Sequence, residues 1–308
     1  MTQPLTLALT SDETYLDGVI GTLSGVLRNA SPAPVHAVIL DCGIRDSSWA
    51  LLEHTLRSTF PLLSLRRIPV SPEQLHAFNP TGAALRLNNS SYARLLLPEL
   101  LPDTTRILYL DCDLLVSADL NPLFTTPLHG KLIGAVPETH TPRLDQSIPG
   151  HLLTPEETTL PTFNAGVLLL DLAGLRNSAV IDRIRALPPA FHSIHMDQAV
   201  LNYVVRGNWE KLPGRWNRQR FITENFSVYR DHPGSVWHFI GRMKPWHFAP
   251  SFMRGLVADF HRDLVSTSWI PRTRGTLRPL SPAWRDLLKA TRACVLRLAR
   301  GLRPSSAS

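Results

Sequence analysis

Short apolar runs that end in polar turns alternate with stretches of helical periodicity along the first 70 residues. The strand-like runs occupy Leu5–Thr10, Val35–Leu40 and Leu63–Ile68. Between them, apolar residues recur every three or four positions over residues 16–27 and again around Leu52. The order β-α-β-α-β predicts parallel strands joined by right-handed crossovers.

The most informative run is Arg106–Leu110, which passes directly into Asp111, Cys112 and Asp113. A short, continuous apolar run is typical of a strand buried on both faces of a parallel sheet. The carboxyl ends of such strands form the ligand crevice of an open α/β sheet. Residues two apart point the same way along a strand, so the two carboxylates face one another and favour a bound cation. A divalent metal that also binds a phosphate is the natural candidate.

Asp-x-Asp has two other interpretations. A strand that simply ends in a turn gives the same pattern, because the motif is frequent by chance. Phosphatases of the haloacid dehalogenase kind also follow apolar residues with Asp-x-Asp, but there Gly-Thr usually comes next. Here Leu114 and Leu115 follow, and the motif lies a third of the way along the chain, so this alternative ranks low.

The remainder of the chain continues the α/β pattern. A polar segment from residue 138 to residue 161, rich in Pro and Thr, predicts a long active-site loop. The turn after the first strand lacks Gly-x-Gly-x-x-Gly, so the ordinary dinucleotide fingerprint is absent. The other predicted elements are a helix at Ser90–Leu101, strands at Lys131–Val136 and Phe163–Asp171, a helix at Met196–Val205 and a strand at Val236–Phe239.

Five motifs stand at set separations along the chain. In order, they are Ser91-Tyr92-Ala93-Arg94, Leu108-Tyr109-Leu110-Asp111-Cys112-Asp113, Phe163-Asn164-Ala165-Gly166-Val167, Asp197-Gln198, and the segment from His238 to Trp246. Taken together, they resemble family 8 of the retaining glycosyltransferases, which includes the bacterial lipopolysaccharide galactosyl- and glucosyltransferases and is related to glycogenin. The resemblance covers about residues 5–250. It implies one α/β domain of the GT-A-like, nucleotide-diphospho-sugar transferase type with a mainly parallel sheet.

The resemblance also implies a metal site. By its motifs, the ligands are Asp111, Asp113 and His238, and the ion is Mn²⁺ or Mg²⁺. Two carboxylates and one imidazole suit Mn²⁺ and leave positions for the oxygens of a diphosphate. Taken alone, His238 would be read as a packed histidine at the end of a strand.

The resemblance assigns the remaining site residues to three sets. Two residues would hold the diphosphate: Gly241, which permits close backbone approach, and Lys244, whose charge would stabilise the leaving UDP. The turn that would bind uridine and ribose contributes Thr10, Asp12 and Thr14, with Thr14 standing where the family carries Asn. Arg94, Asn164, Asp197 and Gln198 would surround the donor sugar, and Glu138 matches an acceptor-facing position where the family carries Asp.

The implied catalytic residues are Asp197, Gln198 and Lys244. Asp197 and Gln198 would contact the transferred hexose, with Gln198 near the reacting face of the anomeric carbon. Each has a simpler interpretation as well: Asp197 as a helix cap and Lys244 as a solvated surface lysine. The residues do not decide between a covalent intermediate and a same-face mechanism through an oxocarbenium-like state.

The charge of the chain is concentrated at one end. The 308 residues carry a net charge of +7, but residues 272–303 hold nine Arg and Lys against one Asp. In a helix, Trp284, Leu287 and Leu298 would share an apolar face opposite Arg285 and Lys289. This pattern predicts two parts: a catalytic domain at 1–270 and a basic amphipathic tail at 271–308 that binds an anionic membrane surface. A helix packed on the domain is the alternative. Nucleic-acid binding is disfavoured, because the body has no basic excess.

Cysteine usage and hydropathy indicate the compartment. Cys42, Cys112 and Cys294 are far apart and do not form a disulfide framework or a zinc-finger pattern. No basic stretch precedes the first apolar run, which argues against a secretory signal, and no apolar stretch approaches 18 residues. We therefore expect a cytoplasmic protein, peripheral on the inner face of the membrane.

The resemblance thus implies an enzyme: a UDP-hexose-dependent retaining glycosyltransferase that moves galactose or glucose to a saccharide acceptor. The acceptor expected is lipid-linked, in lipopolysaccharide or cell-surface glycan synthesis. Two alternatives stay open. One is a protein- or self-glucosylating transferase of the glycogenin type, disfavoured by a content of only five tyrosines. The other is a non-catalytic sugar-nucleotide-binding scaffold.

Overall fold

The computed structural model describes residues 4–30, 33–78, 89–191, 196–222, 234–247, 256–267 and Trp269. The strands are β1 (Leu5–Ser11), β2 (Val35–Asp41), β3 (Leu63–Pro69), β4 (Arg106–Leu110), β5 (Leu114–Val116), β6 (Ile133–Pro137), β7 (Phe163–Asp171), β8 (Glu210–Lys211), β9 (Arg218–Phe221) and β10 (Val236–Ile240). The helices are α1 (Leu16–Ala30), α2 (Asp46–Thr59), α3 (Pro72–His76), α4 (Leu97–Leu100), α5 (Asn121–Phe124), α6 (Pro155–Thr158), α7 (Leu172–Arg176), α8 (Val180–Arg185), α9 (Met196–Val205) and α10 (Leu256–Val265).

The main sheet has the strand order β3-β2-β1-β4-β7-β6-β8, and a small sheet has the order β5-β10-β9. Strands β3, β2, β1 and β4 are parallel, with α1 and α2 as the crossovers between the first three. This is the arrangement that the β-α-β-α-β pattern predicted. The predicted α/β fold with a mainly parallel sheet is confirmed.

Strand β4 is buried on both faces, as its continuous apolar run predicted. Leu108 and Leu110 pack into the hydrophobic core on one side of the sheet, and Ile107 and Tyr109 pack into the core on the other. Both cores continue along the sheet, so the carboxylates that follow β4 start from a rigid, fully packed strand.

The structure adds detail to two predicted elements. The sequence analysis assigns no direction to β7, since a run buried on both faces has the same pattern in either direction, and the strand runs antiparallel to both β4 and β6. The predicted helix at Ser90–Leu101 is a 3₁₀-helix over Asn89–Leu96 that passes into α4, where Pro98 lies in the first turn. Proline is compatible with that position because no intrahelical donor is needed there.

Helix α1 lies directly against the backbone of Cys112, which follows β4, and of strand β5. A Cβ atom at Gly18 would overlap the carbonyl oxygen of Cys112, and one at Gly25 would lie 2.8 Å from the carbonyl oxygen of Val116. Glycine permits this close approach. The far end of the described chain is attached to the same helix, since the indole N–H of Trp269 donates to buried Asp17 at 2.7 Å.

Among the described helices, none is both long and apolar enough to cross a bilayer. The described residues all fall in the compact unit Met1–Pro271. The predicted amphipathic helix of the tail lies outside the described residues, so it stays a prediction, as does the division at residue 270.

Candidate active site

The three predicted metal ligands lie together. Asp111 and Asp113 follow β4, and His238 belongs to β10, whose antiparallel pairing with β5 sets His238 opposite Leu114. His238 Nε2 is 3.2 Å from Asp113 Oδ1 and 3.7 Å from Asp111 Oδ2. One ligand atom from each residue falls within 4.8 Å of the others, although 125 positions separate Asp113 from His238 in the sequence.

The chemistry of this trio fits a divalent cation. Asp113 is buried, and no described group donates an aligned hydrogen bond to its Oδ1, although the ring nitrogen of His238 faces it at 3.2 Å. A buried carboxylate oxygen without a donor is costly unless a cation faces it. Two carboxylates and an imidazole are a donor set that Mn²⁺ accepts. The residues present therefore fit the ion that the family resemblance implies.

Lys244 is buried beside this trio. Its Nζ donates to Asp113 Oδ2 at 2.5 Å and to the carbonyl oxygen of Phe239 at 2.8 Å. Burial alone would raise the pKa of Asp113, but the adjacent ammonium group holds that pKa well below its usual range. Gly241, three residues earlier, has φ +82°, a conformation that favours glycine. The loop thus presents a positive charge next to the candidate metal site.

Arg94 joins two of the carboxylates. Its guanidinium donates to Asp111 Oδ1 at 3.0 Å and to the carbonyl oxygen of Ala165 at 2.5 Å, while its Nε lies 2.9 Å from Asp197 Oδ2. It also lies over the ring of Tyr109, with the Cζ atom 4.3 Å from the ring centroid. Burial opposes the charge, but the two aspartates raise the pKa of Arg94. Its contacts fix the orientation of both carboxylates.

The predicted sugar-side residues meet at Glu138. Its Oε2 accepts hydrogen bonds from Asn164 Nδ2 at 2.9 Å and from Gln198 Nε2 at 3.1 Å. The Oε1 of Gln198 accepts the backbone N–H of Ala165 at 2.9 Å, which fixes the orientation of the amide. Burial would raise the pKa of Glu138, but these hydrogen bonds lower it. For Asp197, burial prevails and raises the pKa, with Arg94 opposing.

The turn after β1 lies next to the Asp-x-Asp segment without lining the main cavity. Asp12 caps the turn by accepting the backbone N–H of Thr14 at 2.7 Å and its hydroxyl at 2.6 Å. The thiol of Cys112 donates to the carbonyl oxygen of Thr10 at 3.1 Å, which joins the two segments. Tyr15, which the sequence analysis did not select, extends from this turn with a third of its surface exposed.

The other predicted site residues line one cavity of about 470 Å³. Four carboxylates and two buried cations line it, so the site carries two excess negative charges that a divalent ion would balance. This volume lies in the range of small-molecule sites. The predicted residues that line it are Arg94, Asp111, Asp113, Glu138, Asn164, Asp197, Gln198, His238, Gly241 and Lys244.

Sequence reasoning missed Asn217, which is buried between Asn164 and His238. It also missed His140 and Phe221, which form an aromatic pair at the cavity rim with ring centroids 4.9 Å apart. No sequence signal singles out Asn217, because an Asn before a strand is usually assigned to a turn.

The structure resembles that of the galactosyltransferase LgtC, solved in complex with donor and acceptor sugar analogues. The TM-score is 0.68 at 23% identity, covering 87% of this chain and 98% of that one. The apo structure of the bifunctional glycosyltransferase WbbM gives a TM-score of 0.66 at 20% identity, covering 86% and 50%. The fold is therefore the GT-A-like fold of glycosyltransferases.

Sequence comparison identifies the family within that fold. Residues 6–249 match the family model of Glycosyl transferase family 8, and the chain belongs to that family. Probable galacturonosyltransferase-like 7 of Arabidopsis thaliana is 30% identical over 260 residues, 78% of this chain and 70% of the relative. Probable galacturonosyltransferase-like 8 of the same plant is 28% identical over 272 residues, and the match spans 66% of its length.

Proposed function

We propose that this chain transfers a hexose from a UDP-sugar to a saccharide acceptor with retention of configuration, and that Mn²⁺ or Mg²⁺ is bound by Asp111, Asp113 and His238. The observation that carries the proposal is the convergence of these residues beside the buried ammonium group of Lys244. Paired carboxylates can hold a divalent ion, and that ion together with a neighbouring ammonium group is what a departing nucleotide diphosphate requires to neutralise its charge.

Each group has a part in the transfer. When bound, the divalent ion would supply charge neutralisation for the departing diphosphate. Lys244, already within 2.5 Å of Asp113, adds a second positive charge at the same place. Asp197 and Gln198 orient the hexose, because Arg94 fixes the first side chain and Glu138 with the Ala165 N–H fixes the second.

The charges of the cavity favour a neutral hexose as the donor sugar. The plant relatives are named as galacturonosyltransferase-like proteins, which raises a uronic acid as a second candidate. A sugar carboxylate would need a cation that is not already paired. Among the described residues that line the cavity, Arg94 and Lys244 are the only Arg or Lys, and both are held by aspartates.

A donor screen tests the proposal. UDP-galactose, UDP-glucose, UDP-galacturonate and UDP-glucuronate are incubated with the protein, with and without Mn²⁺, and UDP release is followed by mass spectrometry. We expect metal-dependent release from a neutral UDP-hexose. Release from a uronate alone would overturn the assignment of the sugar, and release from none of the four would favour the scaffold alternative.

The acceptor is proposed to be lipid-linked, at the inner face of the cytoplasmic membrane. This part rests on the sequence of the tail, where the positive charge and the apolar periodicity coincide. LgtC was solved with an acceptor sugar analogue, which supports a saccharide acceptor here. Intact mass measured after incubation with the donor alone distinguishes the self-glucosylating alternative, since only that alternative adds hexose to the chain.

A further inference from the structure

A row of four polar side chains connects the sugar side of the cavity to the candidate metal ligand His238. Asn164 Nδ2 donates to Glu138 Oε2 at 2.9 Å, and Asn217 Nδ2 donates to Asn164 Oδ1 at 2.8 Å. Asn217 Oδ1 then lies 3.0 Å from His238 Nδ1. All four residues are buried, with Asn217 only 1% exposed. Each of these hydrogen bonds therefore joins side chains that are almost fully buried.

The direction of these hydrogen bonds is determined from one end. A carboxylate only accepts, so Asn164 must turn its NH₂ group toward Glu138. The backbone N–H of Gly166 only donates, and it reaches Asn164 Oδ1 at 3.0 Å. Both contacts require the same orientation of the Asn164 amide. Asn217 must then turn its NH₂ group toward Asn164, which leaves its Oδ1 facing the histidine.

An amide oxygen facing His238 Nδ1 requires a proton on that nitrogen. The other ring nitrogen, Nε2, is then the one that presents a lone pair, and it is the one facing Asp111 and Asp113. A histidine that binds a metal through one nitrogen commonly donates its other ring N–H to a fixed acceptor. Here that acceptor is the neutral amide of Asn217. Its orientation is set by Asn164, which is oriented in turn by the carboxylate of Glu138.

We propose that Asn217 is a positioning residue that keeps the proton on His238 Nδ1, so that Nε2 is the nitrogen offered to the metal ion. The proposal deepens the proposed function and rests on its metal site. It also assigns Glu138 a second part. The same carboxylate oxygen orients Gln198 and the first amide of the row, so the sugar side and the metal side share one anchor.

Metal affinity tests the proposal with three variants. Asn217→Ala removes the acceptor, and we expect Mn²⁺ to bind about 10–100-fold more weakly, as is typical for the loss of a partner of a metal-bound histidine. Asn217→Leu restores the volume without an acceptor, and we expect the same loss; wild-type affinity in this variant would reduce Asn217 to a packing role. Asn217→Asp keeps an oxygen for His238 Nδ1 but brings a second one against Asn164 Oδ1, and we expect it to recover most of the lost affinity.

Asn202→Ala is the matched control. Asn202 is also buried and also binds β7, accepting the N–H of Phe163 at 2.8 Å and donating to its carbonyl oxygen at 2.9 Å, but it does not contact the metal ligands. Its replacement should destabilise the fold without changing Mn²⁺ affinity. Binding is measured with MnCl₂ alone, by the spin resonance signal of the free ion, so that no assumption about the sugar donor enters.

The outcomes separate this proposal from the proposed function. Equal Mn²⁺ affinity in the wild-type protein and Asn217→Ala would overturn the part assigned to Asn217 and leave the metal site intact. If the wild-type protein bound no Mn²⁺, the metal site itself would be refuted, together with everything built on it.

Discussion

Gly166 is the position where a single methyl group should disable the metal site. A Cβ atom built there would lie 2.6 Å from His238 Nδ1, closer still to Cε1 of the same ring, and 3.0 Å from Asp111 Oδ2. Ordinary carbon contacts begin at 3.4 Å. The imidazole must therefore recede by about 0.8 Å at Nδ1. A shift of that size disturbs both the 3.0 Å contact of Nδ1 with Asn217 and the 3.2 Å placement of Nε2 beside Asp113.

The expected cost follows from that displacement. Misplacing one ligand and losing its hydrogen bond should weaken Mn²⁺ binding by about 10–100-fold, equivalent to about 1.4–2.8 kcal/mol. Overpacking should also lower the free energy of unfolding by about 1–3 kcal/mol. Titration with MnCl₂ measures the first quantity, and urea denaturation measures the second.

Gly21→Ala is the control for overpacking alone. In helix α1, its Cβ would lie 2.6 Å from Cε2 of the Phe260 ring and closer still to Cζ, so it also meets an aromatic ring, but none of its nearest neighbours is a metal ligand. This variant should lose stability and keep its Mn²⁺ affinity. The geometry assigned to His238 would be refuted if Gly166→Ala bound Mn²⁺ with wild-type affinity, or if both variants lost the same amount of Mn²⁺ affinity.

Three further predictions follow from the site, the tail and helix α10. Lys244→Ala should lower kcat by about 10²–10³-fold with a smaller change in KM; a change in KM alone would reassign Lys244 to binding of the donor ground state. Truncation after Pro271 should abolish sedimentation with anionic liposomes at low salt and leave donor hydrolysis nearly intact; full-length protein that does not sediment would refute the membrane proposal. Burial raises the pKa of Asp263 to about 6 despite its ion pair with Arg28. Protonated Asp263 therefore stabilises the folded state in full below about pH 3.9, and this contribution is lost as the pH rises through about 6. Asp263→Asn should flatten that part of the pH profile of unfolding; an unchanged profile would count against it.

The sequence predicted the strands and the acidic pair well, because both depend on neighbouring residues. The apolar run of β4 and the carboxylates after it are visible within eight positions. The pairing of β10 with β5, which brings His238 to Asp113, joins segments more than a hundred residues apart. No local pattern encodes that pairing, and only the family resemblance indicated His238 as a ligand.

Two further features escaped prediction for a physical reason. The antiparallel direction of β7 leaves no trace in a run that is buried on both faces. The position of Asn217 depends on hydrogen bonds to residues 21 and 53 positions away.

The sequence analysis assigns Arg94 to the donor sugar, and the structure shows its nitrogens in contact with protein oxygens. Its contact with the sugar stays a prediction.

The central claim is that a divalent ion at the Asp111, Asp113 and His238 site supports sugar transfer from a UDP-hexose. The most direct test compares wild-type protein with Asp113→Asn for Mn²⁺-dependent release of UDP, with circular dichroism to verify the fold. We expect release by the wild-type protein that disappears when the metal is chelated, and no metal-dependent release by the folded variant. Metal-dependent release that persists unchanged in Asp113→Asn would contradict the claim.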